Sequence, residues 1–190
     1  AIQRASVKIL YIAPDRGLIS NKLHTHEKVV FGVLQEYARS GVFERMYIVK
    51  NDILEEIIEN VPVVGYYDVL NNLIVSTLHM INVYENNEPV YANSSQPLKT
   101  TKISTIGIVK IRENKENLFY PLDNVNERCY IYAINGGRLE TDGKLFSKLK
   151  KKIVNNKELD LVSNVQIHST DYDDDYGYII ASSSEIQTQE

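Results

Sequence analysis

The stretch LIVSTLHMINVY, from Leu73 to Tyr84, is dense in Leu, Ile, Val, Thr and Tyr. Such residues suit the pleated, half-buried surface of a strand. Asn71-Asn72 before it and Asn86-Asn87 after it are residues that enter turns at low cost. The stretch therefore reads as a strand, with His79 as a core histidine inside a sheet. The same texture extends outward from Val63 to Ala133, where further strands are expected at Val63 to Val69, Lys102 to Arg112, Leu118 to Tyr120 and Arg128 to Ile134. Asn-rich and Gly-rich punctuation between them, including Glu113 to Asn117, Asp123-Asn124 and Gly136-Gly137, favours antiparallel hairpins.

The flanking regions supply the remaining elements. Val7 to Ala13 reads as a buried strand, followed by the turn Pro14-Asp15-Arg16-Gly17 and a returning strand over Gly17 to Leu23. Thr25 is placed to cap a helix whose Val29, Val30, Val33, Leu34 and Tyr37 share one inward face. Phe43 to Lys50 is a strand, and Asp52 to Glu59 a short helix stopped before Pro62. Leu145, Phe146, Leu149 and Ile153 mark another amphipathic helix, and Leu159 to His168 with Tyr176 to Ala181 a closing hairpin. The expected class is α+β, a mostly antiparallel sheet packed with two longer helices (about 26–39 and 142–155) and one short helix (about 52–59). One globular domain is expected over 1–182, with an N-terminal α/β part (1–62), a β-rich part (63–182) and a flexible tail (183–190).

Composition narrows the function classes. The 190 residues carry a formal net charge of -4, 43% hydrophobic and 24% charged side chains, which excludes collagen-like, disordered and coiled-coil chains. A single cysteine, Cys129, precludes an internal disulfide and a cysteine-based zinc site. No apolar run is long enough to cross a bilayer, and the first residues lack the apolar core of a signal peptide. An intracellular, cytoplasmic setting with no membrane association is expected. Thirteen Tyr against four Phe and no Trp, with abundant Ile, Asn and Lys, is the usage of an A+T-rich genome, viral or microbial.

Three clusters bear on chemistry. His24 and His26 share a face only on a strand, and no nearby carboxylate completes a metal site; they read as surface histidines at a helix start. Asp171, Asp173, Asp174 and Asp175 resemble the start of a calcium loop, but Gly177 and Ser182 fall where that loop needs other residues. They read as an acidic loop that meets a basic partner. Lys144, Lys148, Lys150, Lys151 and Lys152 form a basic helix able to attract phosphate. No Walker, GxGxxG, GxSxG or HExxH string occurs, so no catalytic residue, cofactor or metal is assigned. The expected function is a non-enzymatic protein-interaction or assembly module, viral or from an A+T-rich genome, with a protein partner or self-association. The alternative is a metal-independent phosphodiester-processing or RNA-binding protein, in which the lysine helix works with His168 or His24.

Overall fold

Leu73 to Tyr84 is helical. In the computed structural model, which describes residues 6–15, 17, 19–93, 98–149, 151 and 161–188, the stretch lies inside a helix of 20 residues. In chain order the elements are β1 (Lys8–Ala13), α1 (Asn21–Arg39), β2 (Arg45–Lys50), α2 (Asn51–Ile58), α3 (Tyr66–Glu85), β3 (Tyr91–Ala92), β4 (Ile103–Lys110), β5 (Lys115–Leu118), β6 (Glu127–Asn135), α4 (Gly136–Thr141), β7 (Val162–Thr170) and β8 (Tyr176–Ser183). A further helical turn covers 145–149.

The physical reason for the correction at α3 is periodicity. Leu70, Ile74, Thr77, Ile81 and Tyr84 are its buried residues, at alternating intervals of four and three that set them along one stripe. Asn71 and Asn72 sit on its exposed side, not in a turn, and His79 is exposed as well. Ile, Val and Thr each lose only a few tenths of a kcal/mol in a helix relative to the best formers, up to about 0.7. Burying five side chains on a sheet outweighs that.

The sheet is mixed, not mostly antiparallel. Its order is β1-β2-β4-β8-β6-β7-β3, with β5 pairing β4 off this path. β1 pairs β2 in parallel, β2 pairs β4 in parallel, and β6 pairs β7 in parallel. β8 runs antiparallel to both β4 and β6. Hence β1, β2, β4, β6 and β7 all point the same way, and β8 is threaded between them in the opposite sense. Parallel neighbours require a crossover, which α1, the α2–α3 pair, and α4 with the 145–149 turn supply. The α+β composition stands, but two expected hairpins do not. Gly17 to Leu23 does not return as a strand: the Ser20 hydroxyl caps α1 by accepting from the Leu23 amide, so the helix starts at Asn21, before Thr25. β7 and β8 do not pair with each other; β8 lies one strand away, beyond β6.

Helices cover both faces. Against one face, α2 and α3 bury Leu54, Leu70, Ile74 and Ile81 over Tyr47, Val49, Ile106 and Ile131. On the other, α1 sets Phe31 and Ala38 on Met46, Ile48 and Ile103. Beside it, Leu145 and Leu149 pack on Tyr130, Tyr132, Val165 and Ile179. The helix expected at about 142–155 is described here only at 145–149 and at 151; Ile153 lies outside the described residues. α1 presents a different face from the one expected. Phe31, Gln35 and Ala38 point inward, while Val29, Val30, Val33 and Tyr37 are each 45% or more exposed. At the C-terminal end, the Gln187 amide donates to Gln35 Oε1 at 2.7 Å, and Gln35 returns a bond to the Gln187 carbonyl at 3.1 Å.

Candidate functional site at the carboxyl edge of the sheet

Because five strands share one direction, their carboxyl ends emerge along one edge of the sheet. In open α/β sheets this edge is where ligands bind, since helices start there with unpaired amides and connecting loops are free to vary. Asp15 follows β1, and its carboxylate accepts from the Gly17 amide at 2.8 Å, which holds the turn out of β1. α2 starts directly at Asn51 where β2 stops, and Lys50 pairs with Asp52 at 3.0 Å. Glu59 ends α2 with φ 68°, and Gly65, with φ 76°, opens α3. Tyr66 donates to Glu55 at 3.1 Å and meets Tyr67 edge-on at 5.2 Å. Desolvation and the hydrogen bond to Glu55 raise the Tyr66 phenol above its usual range. Between α2 and α3, Val63 and Val64 are 93% and 90% exposed, and Tyr67 is exposed beside them.

The carboxyl ends of β6 and β7 form the other half of the edge. The Asn135 side chain caps α4 through the Arg138 amide at 3.3 Å and donates to the Tyr172 carbonyl at 2.8 Å. Asp175 accepts from the Asn135 amide at 3.1 Å and pairs with Arg138, which also meets Asp142 at 3.5 Å. Arg112 reaches Asp174 at 3.9 Å. Among the described residues the acidic loop is thus brought to two arginines, and not to Lys144, Lys148 or Lys151. Asp171 and Asp173 stay exposed. Lys144, Lys148 and Lys151 are exposed around the 145–149 turn, while Lys150 and Lys152 lie outside the described residues. Among the described residues no group of three His, Cys, Asp or Glu is arranged to hold a metal ion. No helix among them is long and apolar enough to cross a membrane.

The histidines do not join the lysines. His168 alternates with Val165 and Ile167 on β7, so it faces α3, where its ring lies 4.7 Å from that of Tyr84. The lysine turn covers the opposite face. His24 and His26 lie within α1. Cys129 faces the α3 side of β6, and burial pushes its thiol up to about 12.

No family model and no curated protein matches this sequence. Solved structures do. A GTPγS-form protofilament of TubZ from Bacillus thuringiensis serovar israelensis superposes with TM-score 0.67 at 15% identity, over 94% of this chain and 52% of that one. The fold is that of TubZ and FtsZ. An empty FtsZ dimer from M. jannaschii gives TM-score 0.62 at 9% identity, over 95% of this chain and 55% of its own. CetZ from Methanosaeta thermophila gives 0.64 at 13% identity, over 96% and 54%. The chain spans about half the length of each.

The TubZ- and FtsZ-like fold overturns the viral reading and the phosphodiester-processing or RNA-binding alternative, while neighbours solved as protofilaments are in keeping with the expected assembly module. Geometry also separates His168 from the described lysines Lys144, Lys148 and Lys151, which lie on the opposite face of the sheet. Sequence reasoning gave no site role to Asn51, Arg112 or Arg138. The signal that locates Asn51 is the strand–helix junction itself: Lys50-Asn51 closes a buried apolar strand and opens a helix without a loop.

Proposed function

We propose that this chain is half of a filament-forming subunit of the TubZ and FtsZ kind, with a nucleotide and a neighbouring subunit meeting its carboxyl edge. The carrying observation is the match over 94% of the chain to TubZ solved as a protofilament in its GTPγS form. Three local features support it. Val63, Val64 and Tyr67 project from the carboxyl edge as an exposed apolar group, a natural anchor for a contact between subunits. Asn51, Tyr66 and Tyr67 beside them offer an amide and aromatic faces suited to a purine base.

The third feature is the open edge of β1. Among the described residues it pairs only β2, and parallel strands are ordinarily buried on both faces. On one face α1 shows the exposed Val29, Val30 and Val33; on the other a cleft of about 370 Å³ runs between β1 and α3, lined by Leu10, Val75 and Leu78. A further α/β unit adding a strand to β1 covers all of this surface. It would also supply the phosphate cradle that the sequence, with no glycine-rich phosphate motif, does not contain.

Sedimentation velocity and negative-stain microscopy test the reading, with GTPγS, with GDP and without nucleotide, across a wide concentration range. Concentration-dependent assembly that is lost in Val63→Asp/Val64→Asp supports it. The chain joined to the further α/β unit that completes β1, if it stays monomeric in all three conditions, refutes it.

A further inference from the structure

A second cleft, of about 310 Å³, lies on the opposite face from α3, between the 145–149 turn, β4 and β6. Its floor is apolar, made by Val109, Ile111, Leu145 and Leu149, and its rim carries Arg112, Arg138, Lys148 and Lys151 against a single carboxylate, Asp142. Arg138 is held by Asp142 and Asp175, and Arg112 by Asp174 at the long distance of 3.9 Å. Lys148 and Lys151 have no acidic partner among the described residues. That leaves an excess of positive charge at the mouth of an apolar pocket.

The floor also holds an unpaired donor. Tyr132 lines the cleft and is 1% exposed, and its hydroxyl has no hydrogen-bond partner among the described residues. Its ring stacks parallel to that of Tyr130 at 6.1 Å, and the Tyr130 hydroxyl is satisfied by Glu116 at 3.0 Å. A buried hydroxyl without a partner is costly, and native structures rarely keep one without a use. Desolvation and the nearby Tyr130 and Glu116 hold the Tyr132 phenol far above its ordinary range, so it stays protonated and can only gain by donating.

We propose that this cleft binds a small organic anion: a flat apolar body seated on Val109, Leu145 and Leu149, and a phosphate or carboxylate head held by Lys148, Lys151 and the Tyr132 hydroxyl. The volume is at the small end for ligand pockets, enough for a bicyclic aromatic group with one charged substituent. The site lies between β4 and β6 on the face opposite α3, and does not depend on the filament reading.

Calorimetric titration with naphthyl phosphate tests the assignment on the whole chain, with naphthol and inorganic phosphate as the two halves of the probe. Saturable one-to-one binding of naphthyl phosphate is expected, with each half alone weaker by about tenfold or more, since each forfeits either the apolar burial or the charge-assisted bonds. Lys148→Glu/Lys151→Glu should weaken binding by at least about tenfold and leave thermal unfolding unchanged, both residues being exposed. Tyr132→Phe removes only an unsatisfied hydroxyl, so it should fold as well as the parent while losing several-fold in affinity. Absence of saturable binding overturns the proposal. So does binding that neither variant weakens, or inorganic phosphate binding as tightly as its naphthyl ester.

Discussion

A methyl group placed on Gly107 would come within 2.3 Å of the Asn117 carbonyl oxygen and 3.0 Å of Leu118 Cα. Both are backbone atoms of β5, which pairs with β4 at Gly107 and Leu118, so no side chain can swing aside. To restore ordinary contact, β5 must retreat by about an ångström, a displacement that well-packed interiors resist. It carries Phe119 with it. The Phe119 amide donates to the Ile106 carbonyl at 2.9 Å, its carbonyl accepts from the Lys50 amide at 2.8 Å, and its side chain is fully buried under α3. Overpacking costs about 1–3 kcal/mol, and two weakened backbone bonds about 1 kcal/mol each. Gly107→Ala is therefore expected to lose about 3–5 kcal/mol, a large part of the 5–15 kcal/mol typical of a domain. With a urea slope of about 2 kcal/mol per molar, the unfolding midpoint falls by about 1.5–2.5 M. Gly32→Ala is the control: nothing lies within 4 Å of its added methyl group, and it sits inside α1. It should gain about 0.5–1 kcal/mol from backbone entropy. If Gly107→Ala unfolds within about 0.5 kcal/mol of the parent and the β5 amides stay protected from exchange, the strands slide more freely than this geometry implies and the reasoning fails.

Further outcomes follow from the core and its buried titratable groups. Ile74→Ala, at a fully covered position of α3, should cost about 2–5 kcal/mol in the same denaturation, whereas Val75→Ala on the exposed side should stay within about 0.5 kcal/mol. Burial lowers the His168 pKa below its ordinary 6.5, so the unfolded chain takes up that proton first. Stability is full above that value and declines as pH falls below it, and His168→Gln should flatten this part of the melting profile; an unchanged slope would remove His168 as its source. Cys129 is partly buried at the wall of a cleft and its thiol is held near 12, so it should react with an aromatic disulfide at mildly alkaline pH far more slowly than a free thiol. Immediate stoichiometric labelling of the folded chain would contradict that raised pKa.

Some of this architecture was readable from local pattern alone. Val7 to Ala13, Phe43 to Lys50 and Arg128 to Ile134 overlap β1, β2 and β6, because continuous apolar runs bounded by polar residues are local signals. α3 was not readable from composition, since its Ile, Val, Thr and Tyr residues are those of a strand; only the 4-3-4-3 spacing of Leu70, Ile74, Thr77, Ile81 and Tyr84 separates the two. α1 was visible as a helix with its face inverted. Val29, Val30, Val33 and Tyr37 look like a core stripe, yet the sheet takes Phe31 and Ala38. Strand direction was invisible because pairing of β1 with β2, or of β6 with β7, depends on residues far apart in sequence. The carboxyl edge was invisible for the same reason, since it exists only once five strands run together.

The position of β8 sets the order in which the molecule can form. It comes after the other described strands in chain order, yet it lies in the middle of the sheet, with β4 on one side and β6 on the other. Until it arrives, β1-β2-β4 and β6-β7-β3 are two separate sheets with no shared ladder. Ile106 and Ile108 of β4 meanwhile wait on an unpaired edge while the roughly 70 residues from Lys110 to Ser183 are synthesised, about 4–15 s at typical elongation rates. Such an interval leaves a nascent chain open to capture by a chaperone, or by the same edge of another copy. Loss of β8 would not fray one end of this protein; it would divide it in two.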